Sequence, residues 1–232
     1  MVNKLIKFSS PPDHDWIDMP KSARHYMPEW LRKMPTFVNG KPTVRPSSPN
    51  GTMKTCMPTM DSFLTGYIVE LWQDIEVVKE SNGVKIYWRN GPDVLLDRDP
   101  SIAKELPIPA GHLNLHFVWK NFYSIETPKG YSCLVTHPLN RFDLPFTTMS
   151  AVVDTDILPM GAGSIPFFLR EGFEGIIPKG TPIFQILPFK RESWVSENDP
   201  NLYEVTKRNA YRFNSVANGF YKKFGWSKKS YE

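Results

Sequence analysis

Asp154 and Asp156 are the residues whose type and spacing best suit chemistry. They close the apolar run Ala151-Val152-Val153. Two positions apart on an extended strand, their side chains would point to one side. A carboxylate within hydrogen-bond reach of a water can take its proton. Asp is also a favoured turn residue, so a turn is the alternative. His112 and His116, four apart, would share a strand face with Asn114, and His137 follows later. Imidazole is a common ligand of Zn²⁺ and Fe²⁺, but structural or surface histidines fit the same pattern, and no metal site is expected. Arg141, Lys129 and Arg170 could meet phosphate, with Arg offering a bidentate fork; each would serve equally as a solvated charge. Lys190-Arg191 ends a strand beside Trp194, where it could touch nucleic acid or a partner, or snorkel from the strand edge. There is no Walker loop, no G-x-S-x-G and no dinucleotide fingerprint.

The elements that must hold these residues read as β. Gly172 to Phe189 is the organising stretch: Ile176-Ile177 ends one strand, Pro178-Lys179-Gly180 turns, and Ile183 to Leu187 forms a second apolar strand. Residues 53–90 read as a meander. Its strands are Tyr67–Trp72, Ile75–Val78 and Val84–Trp88, with Ser81-Asn82-Gly83 as a hairpin turn. Further strands are expected at 113–119, 123–126, 131–136, 150–154 and 165–169. Residues 93–110 read as a linker. Residues 1–52 form a Pro-rich arm, with a short strand near 2–8 and a short helix that Ser22 could cap. Trp16, Tyr26, Met27, Trp30 and Leu31 make that arm apolar. Leu202, Val205, Phe213, Val216, Phe220 and Phe224 recur at helical spacing. They predict one amphipathic helix over 199–224, packed on the β core or on a neighbour.

Composition sets limits around this. The 22 prolines in 232 residues shorten helices, and a hydrophobic content of 41% is enough for a sizeable core. The net charge of +4 does not by itself point to nucleic acid. No run of apolar residues is long enough to span a membrane, and the N-terminus lacks the apolar core of a signal peptide. Cys56 and Cys133 are far apart and outside any metal spacing; they are expected as reduced core residues of a cytoplasmic protein.

The segments TPKGYSCLVTHP (127–138), SAVVDTD (150–156) and IIPKGTPIFQILPF (176–189), in that order, resemble the core of the dUTPase and dCTP deaminase superfamily. Asp61 to Tyr67 is a vaguer echo of that family's first motif. The resemblance covers roughly residues 60–190. It implies a mainly β, dUTPase-like barrel over 53–190 and a homotrimer. It also implies Asp154 as the catalytic carboxylate, with Asp156, Arg141, Lys129 and Gln185 at the nucleotide. The departures matter. Ile157 stands where the family has tyrosine, Thr136 to Arg141 replaces the serine-arginine phosphate motif, and residues 191–232 carry no glycine-rich lid. The pattern also resembles that of poorly characterised bacteriophage proteins of similar size.

A weaker likeness to the cupin second motif runs from Gly172 to Gly180, but Ile183 and Leu187 occupy its metal-ligand positions. The expectation is a non-enzymatic oligomeric module without cofactor, such as a phage structural or accessory protein in the host cytoplasm or virion. Its arm is suited to protein contacts, and neither membrane nor nucleic acid is expected as a partner. The alternatives are a Mg²⁺-dependent nucleotide hydrolase or deaminase using Asp154, with Glu174 as the deaminase's glutamate, and a nucleotide binder without turnover.

Overall fold

The computed structural model describes residues 4–45, 49–81, 83–89, 91–99, 101, 106–159, 163–215 and 219–232. The chain divides into two units. One comprises residues 1–25 and 66–191, the other residues 26–65 and 192–232. These boundaries run through the expected arm of 1–52 and through the start of the expected core.

The first unit holds every strand among the described residues. In chain order they are β1 (Lys7–Ser9), β2 (Lys21–Ser22), β3 (Tyr67–Glu70), β4 (Ile75–Glu80), β5 (Gly83–Trp88), β6 (Leu95–Asp97) and β7 (His112–Lys120). Then come β8 (Ser124–Glu126), β9 (Tyr131–Thr136), β10 (Phe146–Thr148), β11 (Ala151–Val153), β12 (Ser164–Arg170), β13 (Gly175–Ile177) and β14 (Pro182–Lys190). All pairings are antiparallel. The sheets run β11-β9-β14-β3-β2, β10-β12-β7-β6, β13-β4-β5 and β1-β8. The mainly β class is therefore observed, but the barrel is not: among the described residues each sheet is open, with two edge strands.

The organising stretch is not a hairpin. β13 pairs with β4, while β14 sits between β9 and β3, so the Pro178–Gly180 turn passes the chain from one sheet to another. β14 occupies this central position because Pro182 to Ile186 is an unbroken buried run, as a strand covered on both faces requires. The expected meander is likewise divided. β4 and β5 form the predicted hairpin, with Glu80 opposite Gly83, but β3 joins the five-stranded sheet. The expected linker contributes β6, which pairs with β7. The helical turn expected after Pro100 falls largely outside the described residues.

Aromatic side chains dominate the core of this unit. Trp119 stacks on Phe167 with centroids 3.7 Å apart, and Phe146 meets both rings edge-on. Trp119 Nε1 donates to Thr148 Oγ1 at 3.2 Å, and that hydroxyl donates to the Ile183 carbonyl at 2.6 Å. This buried chain satisfies the indole N–H, which would otherwise carry a desolvation cost, and links the four-stranded sheet to β14.

The second unit is helical, with α1 (Glu29–Lys33), α2 (Met57–Leu64), α3 (Leu202–Asn214) and α4 (Phe220–Phe224). Ser22 caps no helix; it lies in β2, and α1 begins after Pro28. Proline suits a helix start, where a missing N–H costs nothing. The single long helix expected over 199–224 is two helices. α4 follows Gly219, whose φ of +80° is open to glycine. The described side chains of α3 are exposed along its length, Leu202, Val205 and Phe213 included. Among the described residues no helix is long and apolar enough to cross a membrane. Cys133 is buried as expected, but Cys56 is exposed and so is no core residue.

Candidate functional site

The three segments that carry the family resemblance lie side by side. β11 pairs with β9, and β9 with β14. The end of β11, the start of β9 and the end of β14 therefore meet at one place. Gly130 turns the chain into β9 with φ +84°, a left-handed conformation that a Cβ would strain. Its carbonyl accepts from the Arg191 N–H at 2.8 Å, carrying the β9–β14 ladder one residue further. Beyond β11 the chain turns at once, with the Asp154 carbonyl accepting from the Ile157 and Leu158 N–H groups. Asp154 and Asp156 are thus turn residues rather than neighbours on a strand.

Arg191 binds both carboxylates. Its Nη1 donates to Asp156 Oδ1 at 2.6 Å and its Nη2 to Asp156 Oδ2 at 2.5 Å, a bidentate fork. Nη1 also lies 3.1 Å from Asp154 Oδ1 and donates to Ser132 Oγ at 3.1 Å. The Gly130 N–H donates to Asp156 Oδ2 at 2.7 Å, and the Ser132 hydroxyl donates to Asp154 Oδ1 at 2.6 Å. Below the turn, the Thr127 and Thr155 hydroxyls are 2.7 Å apart. The Asp156 side chain is only 3% exposed, and both its oxygens are used in these contacts; that of Asp154 is 52% exposed, and its Oδ2 takes no part in them.

The charges follow from this geometry. Arg191 holds Asp156 below its ordinary pKa, and Ser132, then Arg191, do the same for Asp154. The guanidinium is held still more firmly protonated, Asp156 being the main cause. Both carboxylates are therefore ionised near neutral pH. A lowered pKa makes a carboxylate a poorer proton acceptor, since a general base works best with its pKa near the working pH.

The other predicted residues do not join this cluster. Gln185 lies opposite Thr136, five residues along β9 from Tyr131, or about 17 Å at strand spacing. It is buried, and its Oε1 accepts from the Leu139 N–H at 2.8 Å. Arg141, in the same 137–145 loop, forms a bidentate pair with Asp143, both bonds 2.9 Å. Arg170 reaches the Phe142 carbonyl from β12. His137 anchors the loop: its Nδ1 accepts from the Thr148 N–H at 3.2 Å, which leaves Nε2–H to donate to the Arg141 carbonyl at 3.1 Å. This fixes the neutral tautomer, and burial holds its pKa below the usual value. Lys129 is exposed at the turn beside Gly130.

The histidines do not converge. His112 bonds the Ala110 carbonyl and the Thr147 hydroxyl, while His116 is buried against Phe168. Among the described residues no group of three His, Cys, Asp or Glu side chains is placed to hold a metal ion. Glu174 is exposed. Asp61, in the vague first-motif echo, lies on α2 in the second unit. There it accepts from Trp226 Nε1 at 3.0 Å and from Lys229 Nζ at 2.6 Å, clasping the C-terminal tail to α2.

Arg191 is the site residue whose role the sequence does not give, since the sequence points to it only as a nucleic-acid or partner contact or a snorkelling strand edge. It is visible as a cation just past a strand, but its relation to Asp154 and Asp156 depends on which strands pair. No known protein-family model matches this chain, and no curated protein matches it either.

Proposed function

We propose that this chain is a non-enzymatic, self-associating β module of the dUTPase-like type, a trimer in a bacteriophage structural or accessory role. The observation that carries the reading is the Arg191 knot. The two aspartates that the family resemblance marks for catalysis and nucleotide binding are ionised partners of one arginine, and Asp156 is closed off from solvent. Arg141 and Gln185 are likewise engaged within the fold, at the far end of β9. Support for self-association comes from β11. It is an edge strand, and Val152, Ile157 and Leu158 on and after it are exposed. An open edge bearing apolar side chains is a ready surface for a further strand or a second copy.

The competing reading is a nucleotide hydrolase using Asp154 with Mg²⁺. One observation favours it: Asp154 Oδ2 lies outside the knot on a half-exposed side chain. The residues do not fit the metal. Mg²⁺ takes carboxylate oxygens and water in an octahedral shell, and Arg191 already places a cation 3.1 Å from this carboxylate.

Light scattering tests the reading directly. The expected mass is about three times the 26.7 kDa of one chain. Ile157→Asp with Leu158→Asp should shift it toward the single-chain value, and a wild-type chain that runs as a monomer would reject self-association. Thermal unfolding with each standard deoxynucleoside triphosphate and Mg²⁺, followed by pyrophosphate and ammonia assays, tests the other half. Turnover that disappears in Asp154→Asn would make the chain an enzyme.

A further inference from the structure

We propose that the side of α3 turned away from α4 binds single-stranded nucleic acid, with tyrosine rings stacking on bases and Lys and Arg meeting phosphates. Residues 202–224, which hold both helices, carry five Lys and Arg against one Glu. Their net charge of +4 equals that of the whole chain, so the remaining residues sum to zero. A modest total charge is thus concentrated on one helix pair. Such a local excess of cations is the electrostatic footprint of a polyanion site.

The helical period divides α3 into two sides. Ala210 and Phe213 face α4, where Phe213 meets Phe220 with centroids 5.7 Å apart. Tyr203, Lys207 and Tyr211 recur every four residues and so form one row along the helix. Glu204, Arg208 and Arg212 form the row beside it. Tyr203 is 68% exposed and Tyr211 79%, and Lys207, Arg208 and Arg212 are exposed as well. Arg212 borders the cleft toward α4, while both tyrosines, Lys207 and Arg208 stay clear of it. Neither tyrosine ring contacts another ring, and none of the three cations pairs with a carboxylate, among the described residues. Arg208 Nε donates to the Glu204 carbonyl at 3.4 Å, a bond that cancels none of its charge.

This face suits unpaired bases. Open rings about 12 Å apart along the helix axis flank a lysine, and arginines run alongside. Single strands bind where bases stack on exposed rings and the backbone follows a line of cations. An acidic protein surface would use the cations but offers the tyrosines no planar ring in return. A duplex meets the cations too, but its base faces are already stacked on one another. Glu204 is the one carboxylate on this face, and like charge there opposes a phosphate.

Fluorescence anisotropy on the full chain tests the proposal. The probe is a labelled oligothymidylate of about twelve nucleotides, within the usual site sizes for single strands. It should bind saturably at low salt. Three phosphate contacts predict that log K falls against log salt with a slope of about −2. Lys207→Ala with Arg208→Ala should flatten that slope to about −0.7. Tyr203→Ala with Tyr211→Ala should weaken binding at least about tenfold and leave the slope unchanged. Glu204→Gln should tighten binding. All these positions are exposed, so the circular dichroism spectrum should stay as in wild type. The same thymidylate annealed to its complement should bind less tightly than the single strand. The proposal is overturned by lack of saturable binding, by wild-type affinity of the double tyrosine variant, or by equal or tighter binding of the duplex, of polyglutamate or of phosphatidylserine vesicles. α3 and the β11 edge lie in different units, so the anisotropy result and the light-scattering result are read independently.

Discussion

Asp154 and Asp156 differ in environment although they share one arginine, and that difference predicts unequal mutational effects. Removing Arg191, as in Arg191→Met, leaves the Asp156 carboxylate almost wholly enclosed without its guanidinium partner, held by backbone N–H donors such as that of Gly130. An enclosed charge stripped of its partner is costly, so the denaturant midpoint should fall well below that of Asp154→Asn, whose carboxylate is half exposed. Adding Asp156→Asn to Arg191→Met should recover part of the loss. Equal midpoints for Arg191→Met and Asp154→Asn would mean that the knot holds nothing together. His137 gives a pH prediction. Protonating Nδ1 would set a proton against the Thr148 N–H. The folded pKa lies below the 6.5 reference, chiefly through burial, so between the two values the unfolded chain binds the extra proton. Stability is then full above pH 6.5 and falls as pH drops through that window. His116 shifts the same way through burial. Urea midpoints at about pH 7.5 and about pH 5.5, straddling the reference value, should therefore differ less in His137→Asn than in wild type, without becoming equal. The sequence displayed the aspartates, the arginine and the histidines, but not their pairing. Two carboxylates two apart suit a strand face or a turn equally, and the choice was made by Arg191, which lies 35 residues beyond Asp156 and next to it only because β9 separates β11 from β14.

At the scale of elements, most strands were legible because alternating or continuous apolar runs bounded by turn residues are a local signal. β4, β5, β7, β9, β12 and β14 lie where the pattern put them. α2 was not legible as a helix: its residues were absorbed into an expected meander, and its apolar positions are too few for a clear period. β6 and β10, three residues each, are too short to stand out from loops. Sheet membership was less legible still, because pairing is non-local: β13 and β14 share a turn but no ladder. Two glycines make that pairing testable. Gly66 enters β3 with φ +76°, and a Cβ there would lie 2.2 Å from the Ile186 carbonyl oxygen of β14. Gly130 has φ +84° but open space around the Cβ position. Gly130→Ala should then cost only the left-handed strain, about 1–2 kcal/mol. Gly66→Ala must also push β3 from β14 and should lose far more, up to loss of soluble protein. Comparable unfolding midpoints for the two variants would contradict the close β3–β14 approach.

At the scale of the whole molecule, the chain order and the folded units disagree, and this decides how deletions act. The sequence suggested an arm, a core and a tail in succession, since composition changes near residues 52 and 190. In the fold, residues 1–25 supply β1 and β2 to the sheet unit, pairing with β8 and β3, and bury Ile17. Residues 26–65 belong with 192–232. Deleting residues 1–50 is therefore no clean test of an assembly arm. It removes an edge strand from two sheets, along with the Asp18 carbonyl that accepts the buried Tyr123 hydroxyl at 2.6 Å. That variant should expose apolar surface and lose a sharp unfolding transition. A chain ending at Ser196 keeps all fourteen strands and the Arg191 knot but removes Trp226 and Lys229 from Asp61. It should retain the β circular dichroism signal, a cooperative transition and the mass set by the β11 edge, while losing the helical signal of α3 and α4. Tryptophan fluorescence with light scattering on both variants separates the cases. If the C-terminal deletion drops the assembly to a monomer while the β signal stays intact, self-association runs through the helical unit, and the apolar edge at Val152, Ile157 and Leu158 is not its contact.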